Sequence, residues 1–267
     1  MSGQGLSRRV VLSGLLASGV ALADPVGAPR PAPALPAAAS LPRVLVAGAT
    51  GRLGGLVVAS LQARGLAVLA LARDTARARA ALPAGVGIVA GDLREPESFA
   101  AALQDIDTIA FTATATAGGA GENTPERVDY GGVAGLLRVL GSRRLRQFLL
   151  VSSAAVTQRQ HPHNLWNDIL LWKLRGEDLL RASGQPYTVV RPCGLRSYPG
   201  GARSIQLTQG DRFAFGYVIA RDDAARVCAG AIGAAAALGK TFEAYNDDEV
   251  AAPLEAQFAG LRADAPA

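Results

Sequence analysis

Two cysteines, two histidines and one methionine are all that this 267-residue chain offers a soft metal. Cys193 and Cys228 form no C-x-x-C pair, which excludes a disulfide framework and a zinc ribbon, and His161 and His163 add too little for a metal centre. Lysine is as scarce, at Lys173 and Lys240, so nearly all of the 27 basic residues are arginines scattered along the chain. A nucleic-acid binder wants a basic stripe with interleaved aromatics. With aromatics at 5% and no such stripe, no nucleic-acid partner is expected. Hydrophobic residues, at 49% against 18% charged, are abundant enough to bury a large core, and disorder is excluded for most of the chain.

Long apolar runs are missing too. Val10 to Ala23 is diluted by Ser13, Gly14, Ser18 and Gly19, and as a helix it rises only about 21 Å, short of the ~30 Å hydrocarbon core. No stable membrane span is expected. Ser7-Arg8-Arg9 before that run and Ala21-Leu22-Ala23 after it read as n-region, h-region and cleavage site of a signal peptide over residues 1–23. Ser-Arg-Arg-Val-Val-Leu resembles the twin-arginine motif, which implies the twin-arginine machinery as a partner in biogenesis and an exported, periplasmic or extracellular destination. Residues 24–42 are rich in Pro and Ala, a composition that holds an extended linker.

From Arg43 onward, strand-like and helix-like runs alternate. Strands are expected at Arg43–Ala47, Ala67–Ala72, Val86–Ala90, Thr108–Thr112, Gln147–Ser152 and Tyr187–Arg191. Between them lie amphipathic runs at Leu53–Arg64, Thr75–Leu82, Pro96–Leu103, Glu126–Leu140 and Leu165–Ser183. Near-continuous apolar strands separated by helices define a doubly wound parallel α/β sheet of the Rossmann kind, here one domain over residues 43–267. Residues 193–220, rich in glycine, read as an irregular flap on the substrate side. After it come a helix at Asp222–Ala235, a strand at Thr241–Tyr245 and a closing helix at Leu254–Leu261.

Gly48-Ala-Thr50-Gly51-Arg52-Leu53-Gly54 stands between the first strand and the first helix, spaced G-x-x-G-x-x-G. The first glycine permits a tight turn, the second lets backbone approach a pyrophosphate, and the third allows close helix packing. A dinucleotide site is the consequence. An acid usually ends the second strand of NAD-preferring sheets. Here the strand ends at Ala72-Arg73, and Arg52 lies in the loop itself, so two guanidiniums favour NADP, with NAD still possible because Asp74 follows.

Together with Gly91-Asp92-Leu93, Val128-Asp129-Tyr130-Gly131-Gly132, Val151-Ser152-Ser153, Lys173, Tyr187-Thr-Val-Val-Arg191-Pro192 and Ile219-Ala-Arg221-Asp222-Asp223-Ala224, this loop resembles the atypical short-chain dehydrogenases/reductases of the NmrA-like, NAD(P)H-binding group. The resemblance implies that Asp92 and Leu93 border the adenine, Thr112 and Ala113 the middle of the cofactor, and Pro192-Cys193-Gly194 the nicotinamide. It also implies catalytic roles for Ser152 or Ser153 and for Lys173, the last also holding the nicotinamide ribose.

The pattern departs from the superfamily at one place. Where Tyr-x-x-x-Lys is expected, Ile169 stands four residues before Lys173, and isoleucine delivers no proton. Tyr130, Tyr198, His161 and His163 are other conceivable donors, Cys193 reads as a small buried residue, and Trp166 and Trp172 as a mixture of core and pocket lining. Two readings remain: an oxidoreductase acting on a small conjugated or quinonoid molecule, or a cofactor-binding sensor or assembly factor without turnover. A nucleotide-sugar epimerase or dehydratase would want the missing tyrosine.

Overall fold

The first strand, β1 (Arg43–Ala47), buries every residue after Arg43. Its side chains alternate between two apolar clusters, Val44 and Val46 into one, Leu45 and Ala47 into the other. A strand apolar on both faces must lie inside a sheet covered on both sides. In this computed structural model, which describes residues 43–116, 121–211 and 216–265, that is its place. The signal peptide expected over 1–23 and the linker over 24–42 lie outside the described residues.

Six further strands run parallel with it or extend its sheet: β2 (Ala67–Ala72), β3 (Gly87–Ala90), β4 (Thr108–Phe111), β5 (Gln147–Val151), β6 (Tyr187–Pro192) and, later in the chain, β10 (Lys240–Asp247). The helices are α1 (Arg52–Ala63), α2 (Thr75–Ala81), α3 (Gly131–Leu140), α4 (Ile169–Ala182), α5 (Arg221–Ala231) and α6 (Leu254–Gly260). Val57, Val58 and Leu61 of α1 join Ala224, Val227 and Cys228 of α5 in the first cluster, while Val133 and Leu136 of α3 and Leu180 of α4 join the second. The sheet is doubly wound. A 3₁₀ helix at Pro96–Asp105 takes the place of the α-helix expected there, and a π-helical turn at Glu126–Tyr130 leads into α3.

The stretch expected to be irregular, 193–220, carries three strands instead: β7 (Gly194–Arg196), β8 (Ser204–Thr208) and β9 (Val218–Ala220). β8 closes the main sheet antiparallel to β10, giving the order β3-β2-β1-β4-β5-β6-β10-β8, and β7 pairs with β9 in a separate parallel ribbon. Runs of three to five residues are too short for periodicity to reveal.

Beneath the end of β6, Arg191 is buried between two carboxylates. Its Nε and Nη2 donate to Glu177 on α4 at 3.0 and 2.6 Å, and its Nη1 donates to Glu243 on β10 at 3.1 Å. Burial works against the Arg191 charge, but its hydrogen bonds to Glu177 and Glu243 outweigh it and hold its pKa above the ordinary value. Three elements are thereby fixed at the sheet edge that carries Pro192, Cys193 and Gly194. Among the described residues no helix is long and apolar enough to cross a membrane.

Candidate active site

β1 has β2 on one side and β4 on the other, so the chain reverses its winding there and a crevice opens beyond the carboxyl ends of the strands. The crevice holds about 800 Å³, within the ~300–1,000 Å³ of small-molecule sites. Every site residue expected from the sequence lines it: Gly48, Thr50, Gly51, Arg52, Leu53, Gly54, Arg73, Asp92, Leu93, Thr112 and Ala113, and then Ser152, Ser153, Lys173, Pro192, Cys193 and Gly194.

Two of the three loop glycines are required by space. Gly48 has φ of 86°, and a Cβ there would stand 2.6 Å from the Ala113 nitrogen. At Gly54 a Cβ would stand 2.1 Å from the Gly48 carbonyl oxygen, so α1 packs directly on the turn. Gly51 caps α1 in extended backbone with no side-chain cap, leaving the first helical amides facing the cleft without a carboxylate in that turn. Unpaired amides at the positive end of a helix fit a pyrophosphate.

At the end of β2, Arg73 faces the cleft, and Asp74 behind it caps α2 by accepting the Arg77 amide at 2.9 Å. Asp92 is paired with Arg94, whose Nε and Nη2 donate to its carboxylate. That hydrogen bond outweighs burial and keeps the Asp92 carboxyl below the usual range, with smaller help from the Arg73 charge.

Farther along, Ser152 is buried, and its hydroxyl has no hydrogen-bond partner among the described residues. A polar atom left so on a cleft wall fits a ligand that completes it. Ser153 instead donates to the Ala154 carbonyl at 2.9 Å. Lys173 reaches the cleft from α4 with Nζ 2.6 Å from Asp129 Oδ1, a contact of charges rather than a directed hydrogen bond, while Asp129 Oδ2 accepts the Ala115 amide at 2.9 Å. Ile169 packs against the small cluster of Ala155, Val156 and Leu170 and is not among the cleft residues. Cys193 is 5% exposed, and burial, aided by the charges of Glu243 and Asp211, pushes its thiol up to about 12, which leaves it inert as a nucleophile.

Of the other donors weighed from sequence, His161 and His163 line the cleft, whereas Tyr130 and Tyr198 do not. Tyr130 packs on Trp172, and Tyr198 donates to Asn246 at 3.3 Å. His163 stacks on the half-exposed Trp166, and burial, then the neighbouring His161, lowers its pKa. Neither tryptophan lines the cleft, contrary to expectation. Sequence reasoning missed Arg196, Tyr217 and the partnership of Asp129 with Lys173, and it quoted Arg221 only for the resemblance. The residues of each group come from separate elements, and no local signal joins them.

A glycine-cradled crevice at the switch point of a doubly wound sheet defines a Rossmann-type nicotinamide dinucleotide-binding protein. The chain belongs to the NAD(P)H-binding family, which it matches over residues 48–235. It is 35% identical over 169 residues to an uncharacterized chloroplast protein of Arabidopsis thaliana, covering 59% of this chain and 60% of that protein. A second such protein is 31% identical over 211 residues, 71% of this chain and 65% of the relative, so the chain spans less than two thirds of both. Sanguinarine reductase of Eschscholzia californica is 27% identical over 239 residues, covering 75% and 87%. Among solved structures, a Bacillus halodurans protein provisionally described as an NAD-dependent epimerase/dehydratase superposes with a TM-score of 0.72 at 26% identity, covering 82% of this chain and all of that one. A short-chain dehydrogenase/reductase from Veillonella parvula in complex with NADP gives 0.60 at 15% identity, covering 79% and 99%, and shares the fold.

Proposed function

We propose that the protein is an NADP(H)-dependent oxidoreductase of the NmrA-like, atypical short-chain dehydrogenase/reductase kind, moving a hydride between the dinucleotide and a small conjugated or quinonoid molecule. The observation that carries this reading is Ser152 and Lys173 on the cleft wall, with Ile169, where the acid should stand, packed into an apolar cluster. A bound nicotinamide supplies or accepts the hydride. Ser152 offers its unpartnered hydroxyl to orient the acceptor, and Lys173, held by Asp129, places a positive charge at the ribose. A conjugated acceptor spreads the incoming charge and takes its proton from water, so no tyrosine is needed. The name of the relative sanguinarine reductase supports a reductase.

NADPH oxidation is expected with quinones, flavins or enones and not with simple ketones. Robust ketone reduction would overturn the reading of Ile169 and direct attention to Tyr217 or His161 as proton donor. Tight NADPH binding with no turnover of any acceptor would favour the second reading, a non-catalytic sensor or assembly factor, for which Ile169 also speaks.

The NADP preference rests on Arg73 at the end of β2, with Asp74 engaged as a helix cap; Arg52, the second guanidinium expected there, is grouped with Arg221 on another part of the cleft wall. Arg73→Ala is expected to weaken NADPH binding by about 1.5–3 kcal/mol, the worth of a charge-assisted contact, and to leave NADH unchanged. Equal losses for both dinucleotides, read by fluorescence titration, would remove Arg73 from the 2′-phosphate.

Export through the twin-arginine route fits a protein that must load its dinucleotide in the cytoplasm and travel folded. Replacing Arg8 and Arg9 with lysines is expected to accumulate uncleaved precursor in the cytoplasm. Unchanged export on cell fractionation would refute the route.

A further inference from the structure

Of the arginines that line the cleft, only Arg94 has a carboxylate partner; Arg52, Arg73, Arg77, Arg196 and Arg221 enter no ion pair among the described residues. Outside the cleft some described arginines pair with acids, as Arg43, Arg138, Arg181, Arg191, Arg203 and Arg226 do, while Arg64, Arg143 and Arg144 donate to backbone carbonyls and Arg175 lies over Trp172. Unpaired cations gathered on a concave wall await an anion.

Three of the five converge from separate elements. β7 and β9 pair in parallel with Arg196 opposite Ala220, so Arg196 and Arg221, the first residue of α5, come out side by side. Arg221 is fixed there by donating from Nη1 to the Ser197 hydroxyl at 2.7 Å. Arg52 opens α1. All three line the same cleft; burial lowers the pKa of Arg221, and the charges of Arg52 and Arg196 lower it further, so Arg221 lies within the field of both. Both α1 and α5 start here without a side-chain cap, but only α1, with no acid in its first turn, adds an unopposed positive end, since α5 carries Asp222 and Asp223 in its first turn. Of the acids that follow Arg221, Asp223 is buried and committed to the Gly201 amide, Asn246 and Arg226, and Asp222 is exposed.

We infer that Arg52, Arg196 and Arg221 form an oxyanion subsite separate from Arg73, taking a phosphate of the dinucleotide or an acidic substituent of the substrate. This rests on the proposed function only for the source of the anion. Arg196 and Arg221 reach the cleft through the ribbon that begins at Gly194, so the subsite borders the end of the cleft expected to hold the nicotinamide.

The test is calorimetric titration of wild type, Arg196→Ala/Arg221→Ala and Arg73→Ala, with circular dichroism to confirm the fold. Inorganic pyrophosphate is expected to bind the wild type and Arg73→Ala alike and the double variant at least about tenfold more weakly, a ratio in the range of a lost charge-assisted contact. If NADPH and NADH weaken together in the double variant, the anion is the cofactor's pyrophosphate. If both dinucleotides are unchanged and anthraquinone-2-carboxylate, added to NADP-saturated protein, loses affinity while the uncharged parent quinone does not, the anion belongs to the substrate. Pyrophosphate, dinucleotide and carboxylate binding all within twofold of wild type would overturn the subsite. A wild type that binds pyrophosphate at these arginines but no dinucleotide would sink the proposed function and leave the subsite standing.

Discussion

Gly54→Ala is expected to lower NADPH affinity at least about a hundredfold, a loss near 2.7 kcal/mol. A Cβ at this position would stand 2.1 Å from the Gly48 carbonyl oxygen and 2.7 Å from Thr112 Oγ1, and backbone cannot yield that much without moving α1 off the turn. The amides at the start of α1 would then no longer converge on one point. Because the same shift costs stability, Gly51→Ala serves as the companion. Gly51 has φ of −77° and ψ of 163°, which any residue adopts, and an added Cβ meets only the Gly48 carbonyl oxygen at 3.1 Å. It is expected to weaken NADPH about tenfold with little change in melting temperature, since its methyl group intrudes where the pyrophosphate approaches. Near-normal affinity in both variants, measured by NADPH fluorescence, would place the dinucleotide elsewhere.

Arg191→Leu carries the second large effect, on stability. It leaves Glu177 and Glu243 buried, Glu177 with Arg181 at 2.7 Å and Glu243 with no cation. Removing one member of a buried charge network costs about 3–5 kcal/mol. The sign with pH follows from Glu243, whose carboxyl burial already pushes up against the opposing pull of Arg191. Without that pull its folded-state pKa rises further above the unfolded value, so the native form retains its proton. The variant's deficit is therefore greatest at neutral pH and shrinks as pH falls through the raised pKa toward and below the ordinary carboxylate value. Chemical denaturation at pH 7 and pH 5 checks this; an equal deficit at both would contradict it.

The glycine loop was legible because all its parts are contiguous: a strand, a turn that needs Gly48, and a helix that needs Gly54. The parallel sheet was legible for a similar reason, since strands such as Ala67–Ala72 are apolar throughout. Pairings across sequence were not. Arg196 meets Arg221 only because two three-residue strands, too short to show a period, pair in register. Asp129 meets Lys173 only where the π-helical turn packs against α4, and nothing near either residue announces the other. Ile169 was legible as an absence, and the structure adds that it packs against Ala155, Val156 and Leu170.

The central claim is that this cleft binds a nicotinamide dinucleotide and prefers the phosphorylated one. Titration of the wild-type protein with NADPH and NADH under one buffer tests it most directly. The account predicts saturable binding at one site with NADPH the tighter ligand by about tenfold or more. Equal affinities or a preference for NADH would contradict the assignment of Arg73, and no binding of either would contradict the account as a whole.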